Sequence, residues 1–304
     1  MVPVRIRHRY ILNVPELPEM QALSERLDAL LAGTALRKAD LLGFSSLKTY
    51  APAPNDLQGH RLDRVSRRAK YLVWDFDDGN RIVLHLSQAG RLDIEEPPKK
   101  TKPRGAVARF VFGNGDGDDD KALDGASTGI LVREYGTQRK ASWWVLAPGD
   151  DGPLAGLGPE PGTEEFAELI RTSDSSRHLT TDLRDQRVVS GIGRGWGDDI
   201  LQRAHLSPFA SLRKLTPDQR EALITAATDV LAEALDLERN RKGGLSESSL
   251  GGRFKVHGKV GEPCPTCNTK LERVSFESYE MAYCPTCQTG GKVLADRRMS
   301  RLLK

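Results

Sequence analysis

"CPTCNTKLERVSFESYEMAYCPTC", residues 264–287, contains all four cysteines of the chain. They fall in two identical knuckles, Cys264/Cys267 and Cys284/Cys287, with sixteen residues between the pairs. Two CxxC pairs at that separation let four thiolates surround one zinc ion tetrahedrally. A redox CxxC rarely comes doubled, and nothing in the chain suggests the oxidising compartment that disulfides would need. One structural Zn2+ on Cys264, Cys267, Cys284 and Cys287 is therefore predicted. The stretch between the knuckles has the length of a β-hairpin, so the finger should present a ribbon.

Outward from the finger, charge is unevenly placed. The net charge is only +3 over 304 residues, but "RVSRRAK" (64–70), "GGRFKVHGKVG" (251–261) and "DRRMSRLLK" (296–304) are basic clusters. Such clusters suit a phosphate backbone. In contrast, "GNGDGDDDK" (113–121) packs Asp116, Asp118, Asp119 and Asp120 into a glycine-rich stretch and reads as a solvated insertion. Apolar residues at 38% and charged residues at 29% describe an ordinary globular chain, long enough for two modest domains. No stretch approaches the roughly 18 uninterrupted apolar residues of a membrane span, so no membrane partner is expected. The first residues, "MVPVRIRHRYILN", lack the apolar run of a secretory signal.

Periodicity divides the remainder. Pro18 suits the first turn of a helix; Leu23, Leu27, Leu30 and Leu31 recur at helical spacing, and Gly33 ends the run. From 36 to 148 the texture changes to short β-rich runs, "KYLVWDF", "RIVLHLS", "VARFVF" and "ILVREY". "LGPEPG" (157–162) is a proline–glycine break and the expected domain junction. Beyond it, Thr216, Pro217 and Gln219 form a capping-box start. Leu223, Ala227, Val230, Leu231 and Ala234 supply the apolar stripe that follows. The fold class read from this order is α+β.

Three further stretches carry candidate chemistry. In "VVSGIGRGWGDDILQRAHLSP" (188–208), three glycines close around Ile192 and Arg194 let backbone N–H groups approach an anion. Asp198, Asp199, Ile200 and Leu201 read as a helix start, and Arg194 tilts the loop towards phosphate. Pro15 with Glu16 in "NVPELPEM" (13–20), and Lys70 in "SRRAKYLVWDF", read alone as a capping arrangement and a solvated charge.

Together these stretches resemble the formamidopyrimidine-DNA glycosylase / endonuclease VIII family, from Pro15 to about Cys287. "PELPEM" is similar to that family's mature N-terminus, "RRAKYL" to its phosphate-binding lysine segment and "HLSQAGRL" to its strand-and-loop segment. "LGPEP" resembles its domain junction, "LRDQRVVSGIGRGWGDDIL" its helix–two-turns–helix, and "HGKVGEPCPTC…YCPTCQ" its zinc finger. The resemblance implies a β-sandwich catalytic domain at 15–150, a helix–two-turns–helix DNA-binding domain at 151–245 and a zinc finger at 246–290. A basic tail at 291–304 follows.

It also implies base-excision repair of oxidised bases on damaged or abasic double-stranded DNA by a monomer, in a bacterial cytoplasm and associated with the nucleoid. In the family an N-terminal proline amine attacks the anomeric carbon, expels the base and forms an iminium; β- and δ-elimination then cut the strand. On that carry-over Pro15 is the nucleophile, Glu16 the acid that helps open the sugar, and Glu19 a supporting group. Lys70 and His85 grip phosphates, Gly193 and Arg194 take the loop's phosphate contact, and Arg139 fills the gap left by the base. An α-amine, with a pKa of roughly 7.7–8.0 against roughly 10.4 for lysine, is the better nucleophile near neutrality. An internal proline is an inert amide, so residues 1–14 are expected to be absent from the working protein. Val14 stands where the family has its initiator Met, and GUG can serve as a bacterial start codon.

The departures cluster where DNA is read. Gln88 stands in place of a methionine wedge, Arg139 and Lys140 in place of an arginine–phenylalanine pair, Arg194 in place of an asparagine, and Tyr279 in place of a hairpin arginine. The segment Gly243 to Val260 is short for the loop that closes over an oxidised purine. Oxidised pyrimidines and abasic sites are therefore as consistent with the chain as 8-oxoguanine. Two other readings fit parts of the pattern: a damaged-DNA binder of the same fold without a usable amine, and a zinc-ribbon RNA-binding protein.

Overall fold

A computed structural model describes residues 15–113, 127–136, 140–241, 252–275 and 280–294. Residues 1–14, Asp116, Asp118, Asp119 and Asp120 of the acidic stretch, 295–304 of the basic tail, Arg139 and Tyr279 lie outside the described residues.

Helix α1 (Leu17–Leu31) starts where Pro18 occupies the first turn and the Glu19 carboxylate accepts the Glu16 N–H at 2.7 Å. This half of a capping box satisfies a donor that the helix cannot. The buried stripe is Leu23, Leu27 and Leu31, and the chain leaves through Gly33 at φ +85°, a left-handed conformation that suits glycine.

Eight antiparallel strands follow: β1 (Ala35–Leu41), β2 (Leu62–Arg68), β3 (Tyr71–Phe76), β4 (Arg81–His85), β5 (Gly90–Glu95), β6 (Ala106–Gly113), β7 (Ser127–Glu134) and β8 (Ser142–Leu146). They form two four-stranded sheets, ordered β1-β6-β7-β5 and β2-β3-β4-β8. The sheets face each other across a core in which the Trp74, Phe110, Phe112 and Trp143 rings meet edge to face at 5.0 to 5.5 Å. Leu23, Leu27 and Leu31 of α1 join the same core.

The second body is helical: α2 (Glu164–Thr172), α3 (Leu179–Asp182), α4 (Arg194–Arg203) and α5 (Pro217–Arg239). The capping box at the start of α5 is present, with Thr216 and Gln219 exchanging bonds at 3.3 and 3.0 Å. No described helix is long and apolar enough to cross a membrane. The expected hairpin forms from β9 (Glu272–Ser275) and β10 (Glu280–Tyr283), with α6 (Pro285–Thr289) after the second knuckle.

One carboxylate joins the sandwich to the helices. Glu160 of "LGPEPG" accepts from Arg67 and Arg68, each at 2.5 Å, and from the Ala69 N–H at 2.7 Å. Arg68 also reaches Ser190 at 2.8 Å. This corrects the reading of "RVSRRAK" as a phosphate-facing cluster. Arg64 pairs with Asp75, Arg67 and Arg68 share the single Glu160 carboxylate at the junction, and Lys70 remains for the cavity below.

Candidate active site

Glu16 is the residue on which the two bodies converge. Its side chain is 3% exposed, and its carboxylate accepts the N–H of Gly193 at 2.5 Å and of Gly195 at 3.0 Å. Those donors open α4, so its N-terminal partial charge also favours the carboxylate. The anion that the glycine loop approaches is therefore the protein's own Glu16. A Cβ on Gly193 would lie 2.3 Å from a Glu16 oxygen, and one on Gly195 would lie 2.1 Å from the Phe254 ring. Glycine is required at both positions by close approach. Lys70, half-buried, donates to the Ile192 carbonyl at 2.7 Å and locks the same loop from the other side.

Behind Glu16 lies Glu19. It accepts from Trp196 Nε1 at 3.0 Å and faces the buried Arg253 guanidinium at 2.9 Å. Burial raises its pKa to about 7, with Arg253 opposing and the Glu16 charge adding to the rise. Arg253 belongs to the 251–261 cluster but is spent here, between Glu19 and the Phe254 ring 4.6 Å away.

An open cavity of about 580 Å³ is lined by Glu16, Lys70, Gln88, Arg184, Arg194 and His257, among others. Lys70 has its pKa lowered by burial, with Arg184 and Arg194 adding to the fall and Glu16 and Glu19 opposing it. His85 ends β4 against the Tyr71 ring, and burial plus the Lys70 charge lower its pKa to about 4. At neutral pH it is an uncharged N–H donor, not a cation. Arg194 is exposed at the mouth of the loop. Pro15 is buried directly before Glu16 and is not itself among the lining residues. Thus Glu16, Lys70, Gly193 and Arg194 are brought together, Glu19 and His85 stand behind them, and Arg139 lies outside the described residues.

Sequence reasoning passed over the pairing that holds the finger in place. Asp198, buried in α4, accepts from His257 Nδ1 at 2.7 Å and from the Ala282 N–H of β10 at 3.0 Å. Its neighbour Asp199 accepts the N–H groups of Lys255, Val256 and His257. These acids lie within α4, which begins at Arg194, and tether the finger rather than start the helix. Burial pulls the His257 pKa down, but the hydrogen bond and charge of Asp198, with Glu16 and Asp199, outweigh it and leave it raised. No periodic or spacing cue marks such a pair.

The four cysteine sulfurs lie within 4.8 Å of one another, with Cys267–Cys284 at 3.4 Å and Cys264–Cys287 at 3.9 Å. Zn–S bonds of about 2.3 Å in a tetrahedron require S···S separations of roughly 3.8 Å, so the set fits one structural zinc. Gln202 of α4 donates to Thr266 at 2.9 Å and to Cys264 Sγ at 3.5 Å, and Gln288 donates to the Leu206 carbonyl.

A sandwich, a helical body whose glycine-loop helix start grips Glu16, and a four-cysteine hairpin meet around one cavity and define a two-body fold with a zinc-finger module. Residues 14–122 match the formamidopyrimidine-DNA glycosylase N-terminal domain, 157–245 its H2TH domain, and 261–290 the zinc finger found in FPG and IleRS. A formamidopyrimidine-DNA glycosylase of Thermus thermophilus is 32% identical over 291 residues, 91% of this chain and all of that one. An uncharacterized formamidopyrimidine-DNA glycosylase-like protein of Mycobacterium tuberculosis is 40% identical over 151 residues, 49% of this chain and 94% of its own length. Among solved structures, the Lactococcus lactis Fpg in complex with DNA containing an abasic site superposes with a TM-score of 0.75 at 20% identity, over 90% of this chain and 99% of that one. The chain belongs to the formamidopyrimidine-DNA glycosylase family.

Proposed function

We propose that this protein is a base-excision repair DNA glycosylase with abasic-site lyase activity, acting on oxidised or abasic duplex DNA through Pro15 once residues 1–14 are removed. The observation that carries the reading is the Glu16 carboxylate, held by two backbone N–H groups directly beside Pro15, at a cavity that Lys70 and Arg194 make cationic.

In the reaction the Pro15 amine forms a bond to C1′ as the C1′–N bond to the base breaks, and the base leaves with a proton. Glu16 relays a proton from solvent to O4′ as the C1′–O4′ bond opens, leaving the iminium. Loss of a C2′ proton then expels the 3′ phosphate. A second elimination expels the 5′ phosphate. Lys70 and Arg194 offset phosphate charge, and His85 donates a neutral N–H. The finger, tied to α4 by Asp198 and Gln202, sets the far wall of the cavity.

Two preparations test this reading. One retains Met1; the other is processed to expose Pro15. Borohydride should trap an abasic duplex covalently on the second alone, with the cross-link mapped to Pro15 by mass spectrometry, and Glu16→Gln should abolish trapping. Burial makes Lys70 a better amine than its sequence context suggests. Trapping by the Met1 form with the cross-link on Lys70 would replace Pro15 by Lys70 as nucleophile. No trapping by either preparation, with abasic duplex still bound, would leave a non-catalytic binder.

A further inference from the structure

A second groove lies across the end of the sandwich, away from the cavity that holds Glu16. It has a volume of about 590 Å³ and is lined by residues 42–46, Lys48, residues 102–107, Glu134, Lys140 and Ala141. Its rim carries Lys48, Lys102, Arg104 and Lys140, all exposed, and none of them makes an ion pair among the described residues. Glu134, the acid in the lining, is 6% exposed and turned inward, where it accepts the N–H groups of Lys140 and Ala141 at 2.6 and 2.8 Å. Phe44 stands at the lip and is 92% exposed.

That exposure is built on a fixed platform. The Leu42 and Gly43 N–H groups both donate to the Val107 carbonyl, and Lys48 N–H donates to the Trp143 carbonyl at 2.9 Å. Trp143 Nε1 donates to Ser46 at 3.1 Å. The segment is thus pinned to both sheets, and its aromatic ring faces solvent instead of the core.

Strand register links this groove to the first cavity. Gly90 at the start of β5 pairs with Glu134, Arg133 with Ala106 at the start of β6, and Ala108 with Leu41 at the end of β1. These ends form one edge, which runs from the Gln88 loop to the groove. The Tyr135 N–H, bonded to the Ala89 carbonyl at 3.0 Å, closes the step between them. The edge crosses three strand spacings of about 4.8 Å, roughly 14 Å in all. That is about four base pairs of duplex at roughly 3.4 Å each. At the opposite end of the sandwich Gly113 faces Ser127, and the sequence between them carries Asp116, Asp118, Asp119 and Asp120.

We propose that the Lys48–Lys102–Arg104 groove, with Phe44 at its lip, holds the phosphate backbone of the duplex arm on one side of the lesion, about four base pairs from the nucleotide in the Glu16 cavity. The assignment rests on the DNA-repair reading above. Cations without ion pairs among the described residues, continuous with a cationic cavity, fit a polyanion that runs along this edge. Phe44 packs against the sugars between the phosphates.

The probe is a duplex with a tetrahydrofuran abasic analogue and arms of about ten base pairs, compared with duplexes whose one or other arm is cut to about two, short of the roughly 14 Å span. For K48A/K102A/R104A on the long duplex, the slope of log K against log salt should be shallower by about 2.7, three contacts at about 0.9 each. On one of the two shortened duplexes parent and variant should bind alike. F44A should weaken binding to the long duplex without changing the slope. An unchanged slope on the long duplex, or equal weakening on every duplex, overturns the proposal. So does a variant that alters the sedimentation of the free protein and not its DNA binding, which would make the groove a contact between copies. A parent that binds none of the duplexes overturns the DNA reading itself, and this proposal with it.

Discussion

The zinc finger and the glycine loop both gather negative charge, and they are built in opposite ways. In the finger, four thiolates come from two knuckles of identical sequence, and the hairpin between them fixes their spacing. In the loop, the charge is one carboxylate, Glu16, which lies 177 residues from the Gly193 N–H that it accepts. A local motif states its own ligand set. The loop states only that something must come close.

Substitutions in each region test that contrast. The largest effect should follow Cys264→Ser. Zinc content should fall from about one per chain to near zero, and the finger should melt, since metal contributes on the order of 10 kcal/mol to folding such modules. Metal analysis and the loss of a separate melting transition check this. Full zinc retention would show that the finger does not depend on its sequence-local ligands.

Gly193→Ala should come next. Its methyl would sit 2.3 Å from a Glu16 oxygen, so the carboxylate must leave both N–H groups, at a cost of about 3 kcal/mol. Borohydride trapping should disappear while zinc content stays at the parent level. If trapping survives, the grip on Glu16 is not what the loop is for.

Asp198→Asn tests the tether between the two regions and should cost about 2 kcal/mol below neutral pH. The His257 pKa is raised on folding, so the contribution of the pair is fully present below the ordinary imidazole value of 6.5. It is lost as pH rises through the higher folded value. Denaturant unfolding across that window should show stability falling with pH in the parent and a flatter profile in the variant, and the His257 ring signals should titrate lower.

The smallest effect should be Gly197→Ala. A Cβ there meets only Ile192 at 3.7 Å, an ordinary contact inside α4. Replacing a helix-interior glycine should stabilise by about 0.5–1 kcal/mol, seen as a modest rise in Tm with trapping unchanged. Two glycines four residues apart would then respond with opposite sign.

The basic clusters show the limit of reading charge along a chain. "RVSRRAK" and "GGRFKVHGKVG" look alike as strings of cations. Once folded, Arg67 and Arg68 close on Glu160, Arg253 is buried on Glu19, and Lys255 pairs with Glu233. Among the described residues, Lys48, Lys102 and Arg104 are exposed cations without an ion pair, and no motif singled them out. Removing Glu160 would leave two guanidinium groups uncompensated at the junction, which is why that acid is structural.

Whatever depends on neighbours along the chain is legible in the residues alone. The zinc ligands and their hairpin follow from knuckle spacing, α1 and α5 from apolar period and caps, and four of the eight sandwich strands, β3, β4, β6 and β7, from β-rich runs between turns. Packing in three dimensions sets which carboxylate the glycine loop holds, which arginines are drawn into ion pairs, and how Asp198 and His257 fasten the finger to α4. Such contacts join residues as far apart as Arg67 and Glu160, 93 positions, or Trp196 and Glu19, 177. Electrostatic pairing at those separations has no period and no fixed spacing. It is set by which faces the packed sheets and helices bring together.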